Sequence, residues 1–409
     1  MSTAATAKTP ETPETPGAEA PTGPRFTIPW AEVVTTALAF VLAFVVGAIL
    51  MVVSDADVAA KWAYFFGRPG DALSASWDKV YGAYSALLIG SVGGWGPITE
   101  TTAQAAPLIC AGLGVGLAFR AGLFNIGAQG QAIVGSILAA YAGFAWSLPP
   151  VLHLIVAIAF GILGGALWGS IVGWLKAKAG AHEVIVTIMM NYVAIGLLAW
   201  LLTTTAFRRP GRADPISPIV AWNATLPRLE GSRLHLGFLI ALLAALFVWW
   251  LLDRSTTGFA IRAVGANPHA AATAGMSVER TTVITMTVAG ALAGLAGVQY
   301  ALGPSVLGTP VPLSAGLVGT VGFDAITVAL LGRSRPFGTV LAGLLFGGLH
   351  AGGLAMQSMA DTPLTLTTVL QALIVLFVAA PGLVRTVFPM LKGRRMRSLT
   401  GSAQTGALQ

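Results

Sequence analysis

The chain has 409 residues, of which 55% are hydrophobic and 10% charged, and a formal net charge of +7. Soluble domains carry about a quarter charged residues, so this composition excludes a soluble globular protein. Several apolar windows exceed the roughly 20 residues a helix needs to cross the hydrocarbon core, and the short alternating segments of an outer-membrane barrel are absent.

Residues 1–28 are rich in Pro, Thr, Ala and Glu, with Thr-Pro at Thr9, Thr12 and Thr15, and read as a disordered cytoplasmic tail. A transmembrane domain follows over residues 29–385. Its first crossing, Pro29 to Val53, is too long for a signal-peptide core and has no cleavage site after it, so it stays in the mature chain. Four more apolar runs are expected at Glu100 to Phe119, Leu123 to Trp146, Pro149 to Leu175 and Val184 to Phe207. A basic outer loop, 208–235, separates these from Leu236 to Leu252, Val283 to Gly303, Phe323 to Leu331, Phe337 to His350 and Leu364 to Ala380. Phe323 to Leu331 is too short to cross alone and reads as a half-helix or re-entrant piece. Residues 386–409 form a basic cytoplasmic tail. The single cysteine, Cys110, lies in an apolar run, which excludes an intramolecular disulfide and argues against a structural metal site.

The fold class is therefore an all-α polytopic membrane protein of about ten transmembrane helices. Placing the N-terminus inside puts the larger share of the 23 Lys and Arg on the cytoplasmic face, including Arg120, Lys176, Lys178, Arg333 and Arg335. This placement, and not nucleic-acid binding, accounts for the net charge. An even number of crossings returns the C-terminus inside. Crossings two to five and seven to ten then start from opposite faces, the topology of an internal inverted repeat. A weak echo accompanies it, with GLFNIG from Gly122 and GFDAI from Gly322 both placed by the cytoplasmic side. Gly161, Gly165, Gly169 and Gly173 recur every fourth residue, and Gly290 with Gly294 and Gly343 with Gly347 repeat that spacing; all read as close helix packing.

Polar residues inside the apolar runs are the candidates for a solute path. Asn125, Gln129 and Ser136 project from one face of the third crossing, and Glu183, Thr187 and Asn191 from one face of the fifth. With Gln131 and Asp324, the residues Asn125, Gln129, Thr187 and Asn191 make up the candidate substrate pathway; tying helices together is the alternative role for each. Asp324 and Glu183 are placed near cytoplasmic ends, where helix capping is the stronger expectation. His153 and His350 have no metal-ligand spacing and read as incidental. No crossing carries a central pair of charges of the kind used for proton coupling, and no G-x-x-x-x-G-K-[ST] phosphate loop is present. No cofactor is expected on this chain, no catalytic set appears, and energy must arrive from a partner.

The most informative segment is Asp253 to Thr282, DRSTTGFAIRAVGANPHAAATAGMSVERTT, a long polar loop between two apolar runs. A helical turn starting after Asn267 and Pro268 would present His269, Ala270 and Ala271 outward, with Gly275 after three further residues. This pattern resembles the coupling loop of ABC-importer permeases, Glu-Ala-Ala, three residues, then Gly, with His269 in place of the usual Glu. GLFNIGAQGQ from Gly122, HEVIVTIMMNY from His182, RAVGANPHAA from Arg262 and GFDAITVALLG from Gly322 extend the similarity over Glu100 to Pro381. They look like the branched-chain amino acid, ribose and nucleoside permease group, closest to its nucleoside and simple-sugar branch served by a basic-membrane-protein-type lipoprotein. Gln129 stands where many relatives carry Glu, and His182 where many carry Asn.

The resemblance implies a permease of an ATP-driven importer in the bacterial cytoplasmic membrane, passing nucleosides or, as alternatives, simple sugars or branched-chain amino acids. A self-sufficient facilitator or ion-coupled secondary carrier is the rival reading. The implied partners are a second permease chain, a cytoplasmic ATPase that holds ATP and Mg, and an external solute-binding lipoprotein. Residues matching the coupling motif are Arg262, Asn267, Pro268, His269, Ala270, Ala271, Gly275 and Met276, and Arg208, Arg209 and Arg212 become candidates for docking the binding protein.

Overall fold

The computed structural model describes residues 30–305 and 307–388; the predicted tail 1–28 and most of the predicted basic tail 386–409 lie outside them. In chain order the helices are α1 Trp30–Ser54, α2 Ala56–Trp62, α3 Pro69–Val92, α4 Trp95–Arg120, α5 Ala128–Ala145, α6 Pro150–Ala179, α7 Glu183–Leu201, α8 Leu236–Arg254, α9 Thr256–Ala266, α10 Pro268–Thr273, α11 Val278–Leu302, α12 Val321–Leu331, α13 Pro336–Ala360, α14 Leu364–Ala379 and α15 Pro381–Val387. Among the described residues, extended pairing is limited to isolated bridges such as Ile216 with Ser314. The protein is an all-α polytopic membrane protein, with seven described helices long and apolar enough to cross and two shorter apolar ones, α12 and α14.

Each predicted crossing has a helix, but three outcomes differ from expectation. α13 runs to Ala360, well past His350, because its Gly-rich second half packs against neighbours instead of lipid. α5 starts only at Ala128, for reasons given below. α3 was not anticipated at all, since Asp71, Asp78 and Lys79 dilute its hydropathy. It lies along the distal half of α13, where Gly90 meets Gly352 and Ala355. Lys79 there pairs with Asp55 at 2.7 Å and donates to the carbonyls of Ala360 and Asp361, closing the C-terminus of α13.

The inverted repeat consists of α4–α7 and α11–α14, and it is visible in reciprocal packing. The first helix of each half lies on the third helix of the other, α11 on α6 and α4 on α13, while α4 and α11 pack on each other. Glycine makes both crossings possible. A Cβ at Gly165 would collide with the Gly290 carbonyl and one at Gly347 would sit 2.6 Å from the Thr101 carbonyl, so even alanine would push these helices apart. The GLFNIG and GFDAI echo does not mark equivalent positions: 122–127 precedes α5, whereas 322–326 lies inside α12.

The two ends of the bundle differ in charge. Arg120, Lys176, Lys178, Arg254, Arg262, Arg280, Arg333 and Arg335 gather at the end that carries α9 and α10, where Glu183, Asp253 and Glu279 are among the fewer carboxylates of the described residues. At the opposite end the basic residues of 208–235 and α2–α3 face a comparable set of carboxylates, including Asp55, Glu100, Asp214 and Asp361.

Candidate functional site

The segment 253–282 is mostly helical and held by short polar caps. Ser255 stops α8 and starts α9, its hydroxyl accepting from Gly258 N at 2.9 Å, and Gly258 lies directly on the backbone of Leu251 and Leu252. Asn267 is extended, and its Oδ1 accepts from His269 N at 3.0 Å and Ala270 N at 3.1 Å, so with Pro268 in the first position it nucleates α10. Ser277 caps α11 in the same way. The result is a small rigid knob whose outward surface is Pro268, His269, Ala270 and Ala272.

Ala271 does not belong to that surface. It is buried, facing back into the element, and its carbonyl accepts from Met276 N at 3.0 Å. In a helix this short, the residue four positions after the cap must face the body it rests on. Gly275 has φ +84° and open space around it, so it serves as the turn that lets the chain leave α10. Arg262 reaches Asp253 at 3.5 Å, Met276 is half-buried, and Glu279 beside the knob pairs with Lys178 at the end of α6 at 2.6 Å.

Beneath the knob lies a residue that sequence reasoning missed. Gly265, in the last turn of α9, presses on the Arg120 carbonyl and on Ala121, where α4 ends. The available signal was a glycine inside an otherwise helical run, which often marks close backbone approach.

From Ala121 to Gly127 the chain is not helical, with Gly122 at φ +71°, and this break is closed by side-chain amides. Asn125 Oδ1 accepts from Gly127 N at 2.9 Å, and Asn125 Nδ2 donates to Gln131 Oε1 at 3.1 Å. Asn191 on α7 accepts from Gly130 N at 2.8 Å and donates to the Ile126 carbonyl at 3.0 Å. Gln129 reaches across to the second repeat, donating to Gly319 O at 2.6 Å and accepting from Gly322 N at 2.7 Å, so the N-termini of α5 and α12 are joined through one side chain.

Asn125 therefore does not share a helical face with Gln129 and Ser136, because its own side chain bonds the backbone two residues on and diverts the chain from helix. Thr187 and Asn191 do share a buried face of α7, with Thr187 donating to Val184 O and packing on Gly127, while Glu183 pairs with Lys176. Asp324 lies in the first turn of α12 and accepts from Thr320 Oγ1 at 2.9 Å; it is at the interior end of that half-helix, not the end beside Arg333. Asn125, Gln129, Gln131, Thr187 and Asn191 are all buried, and the polar groups of the four amides are engaged with the chain itself.

Residues 98–379 match the sequence profile of the branched-chain amino acid transport system permease component. The chain belongs to that permease family. Among curated relatives, it is 39% identical over 359 residues to the guanosine ABC transporter permease protein NupP of Bacillus subtilis, covering 87% of this chain and 95% of the relative. It is 32% identical over 382 residues to the nucleoside ABC transporter permease protein NupB of Lactococcus lactis, covering 90% and 96%. It is 31% identical over 366 residues to the glucose ABC transporter permease protein TsgB13 of Haloferax volcanii, covering 87% and 89%. No solved structure matches the chain.

At the end of this permease opposite the knob, the loop 208–235 is anchored by buried polar residues. His153 is fully buried and bridges Asn223 and the Ala142 carbonyl, both at 2.9 Å, so it is a tie between α6 and the loop. His235 caps α8 by accepting from Gly237 N at 3.0 Å; burial, aided by the Arg233 charge, pushes its pKa down to about 4. Of the three candidate docking arginines, Arg208 is exposed and Arg209 half-buried, while Arg212 is committed to Asp214 through two hydrogen bonds of 2.8 and 2.9 Å that hold the Asp214 carboxyl below the usual range. Among the described residues, no group of three or more His, Cys, Asp or Glu is placed to hold a metal.

Proposed function

We propose that this permease is the membrane subunit of an ATP-driven importer that takes up nucleosides across the bacterial cytoplasmic membrane, with the knob end and both termini cytoplasmic. Its partners are a second, non-identical permease chain, an ATPase that binds ATP and Mg, and an external solute-binding lipoprotein. The observation that carries this reading is mechanical. An exposed, rigidly capped knob of His269 and Ala270 projects from the positively charged end, and its root at Gly265 rests on the backbone where α4 breaks.

Motion of the knob would pass through Gly265 to the 121–127 break. There Asn125, Gln129, Gln131, Thr187 and Asn191 keep the break registered to α7 and α12, and Asp324 sits in the first turn of α12. Their role is to position the half-helices that line the path, so the solute gate opens by relative movement of α5, α7 and α12 and not by exchange of these amides with solute. Arg262 and Met276 brace the knob, and Arg208 is the arginine left to meet the binding protein.

The similarity to guanosine and nucleoside permeases supports a nucleoside as solute; the glucose permease makes a simple sugar the second reading. The test is uptake of labelled guanosine into liposomes holding the two permeases and the ATPase, with binding protein added. ATP-dependent uptake, competed by nucleosides and not by glucose, is expected. Uptake by this chain alone without ATP would overturn the importer reading, and competition by glucose only would overturn the solute.

A further inference from the structure

Helices α1 to α3 precede the segment matched to the family, and they form a groove apart from the knob and the 121–127 break. α1 packs mainly on α14 and only sparsely on α3, so the two splay apart. Between them is a cavity of about 680 Å³ walled by Ala48, Ile49, Val52, Trp62, Trp77 and Val80, with almost no polar surface. A second cavity of about 340 Å³ continues it along α1 past Phe44 to Phe40, sharing Ala48. Tyr84 lines this lower part, and its hydroxyl is already spent on the Phe44 carbonyl at 2.5 Å.

The groove has the dimensions and placement of a lipid site. From Val53 to Phe40 α1 rises about 20 Å, enough to run through one leaflet of a hydrocarbon core roughly 30 Å thick in all. It opens onto the face of α1 where Val41, Val45, Ile49 and Val53 are exposed, an apolar stripe suited to acyl chains. Its wall carries exposed Trp62 and Trp77, the latter stacked on exposed Tyr81, amphipathic rings that favour the headgroup level. Lys61, next to Trp62, has no carboxylate partner among the described residues. We propose that this groove holds one acyl chain of an outer-leaflet phospholipid, with Lys61 attracting an anionic headgroup at the mouth.

The probe is phosphatidylglycerol bearing a diazirine in its acyl chain, mixed equally with phosphatidylcholine in vesicles containing the purified permease, followed by mapping of crosslinked peptides. Labelling concentrated on 44–53 and 73–84, several-fold above the exposed face of α8 at Leu239, Leu243 and Leu246, is expected. Ala48→Trp should remove that excess and leave α8 labelling unchanged. Lys61→Ala should lower the preference for phosphatidylglycerol over phosphatidylcholine about fivefold, the factor given by roughly 1 kcal/mol per lysine near an anionic surface. Wild-type labelling of the groove no greater than that of α8 would overturn the site without recourse to any variant. Crosslinks between chains at 48–80 would overturn it in favour of a protein occupant.

Discussion

The turn at α10 and the break before α5 are made from similar material, short stretches of small and amide residues, and the fold uses them in opposite ways. At α10 one amide, Asn267, caps the helix and leaves His269 and Ala270 facing outward. At the break, Asn125, Gln129, Gln131 and Asn191 turn their polar groups onto the chain, and the surface they occupy is closed. The difference teaches where to look for each role. Groups with nothing left to offer position the helices, and the small surface left bare is the one a partner can grip.

Substitution should separate the two regions sharply. The largest effect is expected for Asn191→Leu, which strands Gly130 N and the Ile126 carbonyl in the interior and should cost on the order of 4 kcal/mol; folded yield and unfolding temperature in detergent should both fall. Gln129→Leu should cost about 2–4 kcal/mol by the same argument, and loosen α12 from α5. If either variant unfolds like the wild type, the amides are not structural ties.

How much of this was legible in the sequence depends on the range of the interaction involved. Hydropathy alone located the ten apolar runs, and the reciprocal packing of α4–α7 with α11–α14 follows from glycines at four-residue spacing. Asn125 was placed in a helix because hydropathy is blind to a side chain bonding its own backbone. The partners of Gln129, Gly319 and Gly322, lie far along the chain, and no local pattern announces them. α3 was hidden because Asp71, Asp78 and Lys79 lower its hydropathy, and only the fold shows that Lys79 is taken up by Asp55 and the end of α13. Ala271 was assigned outward because a short helix shows its inner face only once its body is known.

Smaller effects refine the contrast. His235 is held neutral in the folded state with its pKa at about 4, below the ordinary 6.5. Its contribution to stability is therefore complete above about pH 6.5 and is lost as pH falls through 4, by linkage. His235→Asn, which keeps a capping acceptor without a titrating ring, should flatten that part of the acid dependence of unfolding; an unchanged profile would mean other groups set it. Gly275→Ala should cost about 1 kcal/mol, from the left-handed backbone alone since no atom crowds the position.

The most direct test of force transfer through the knob is Ala270→Trp, measured as co-purification of the ATPase with the permease pair and as binding-protein-stimulated ATP hydrolysis. The exposed position predicts a wild-type unfolding temperature together with loss of the ATPase and of stimulation by more than an order of magnitude, as expected when a bulky ring is forced into a packed contact. Retention of the ATPase with full stimulation would contradict the account, because the partner would then be gripping the permease somewhere other than α10.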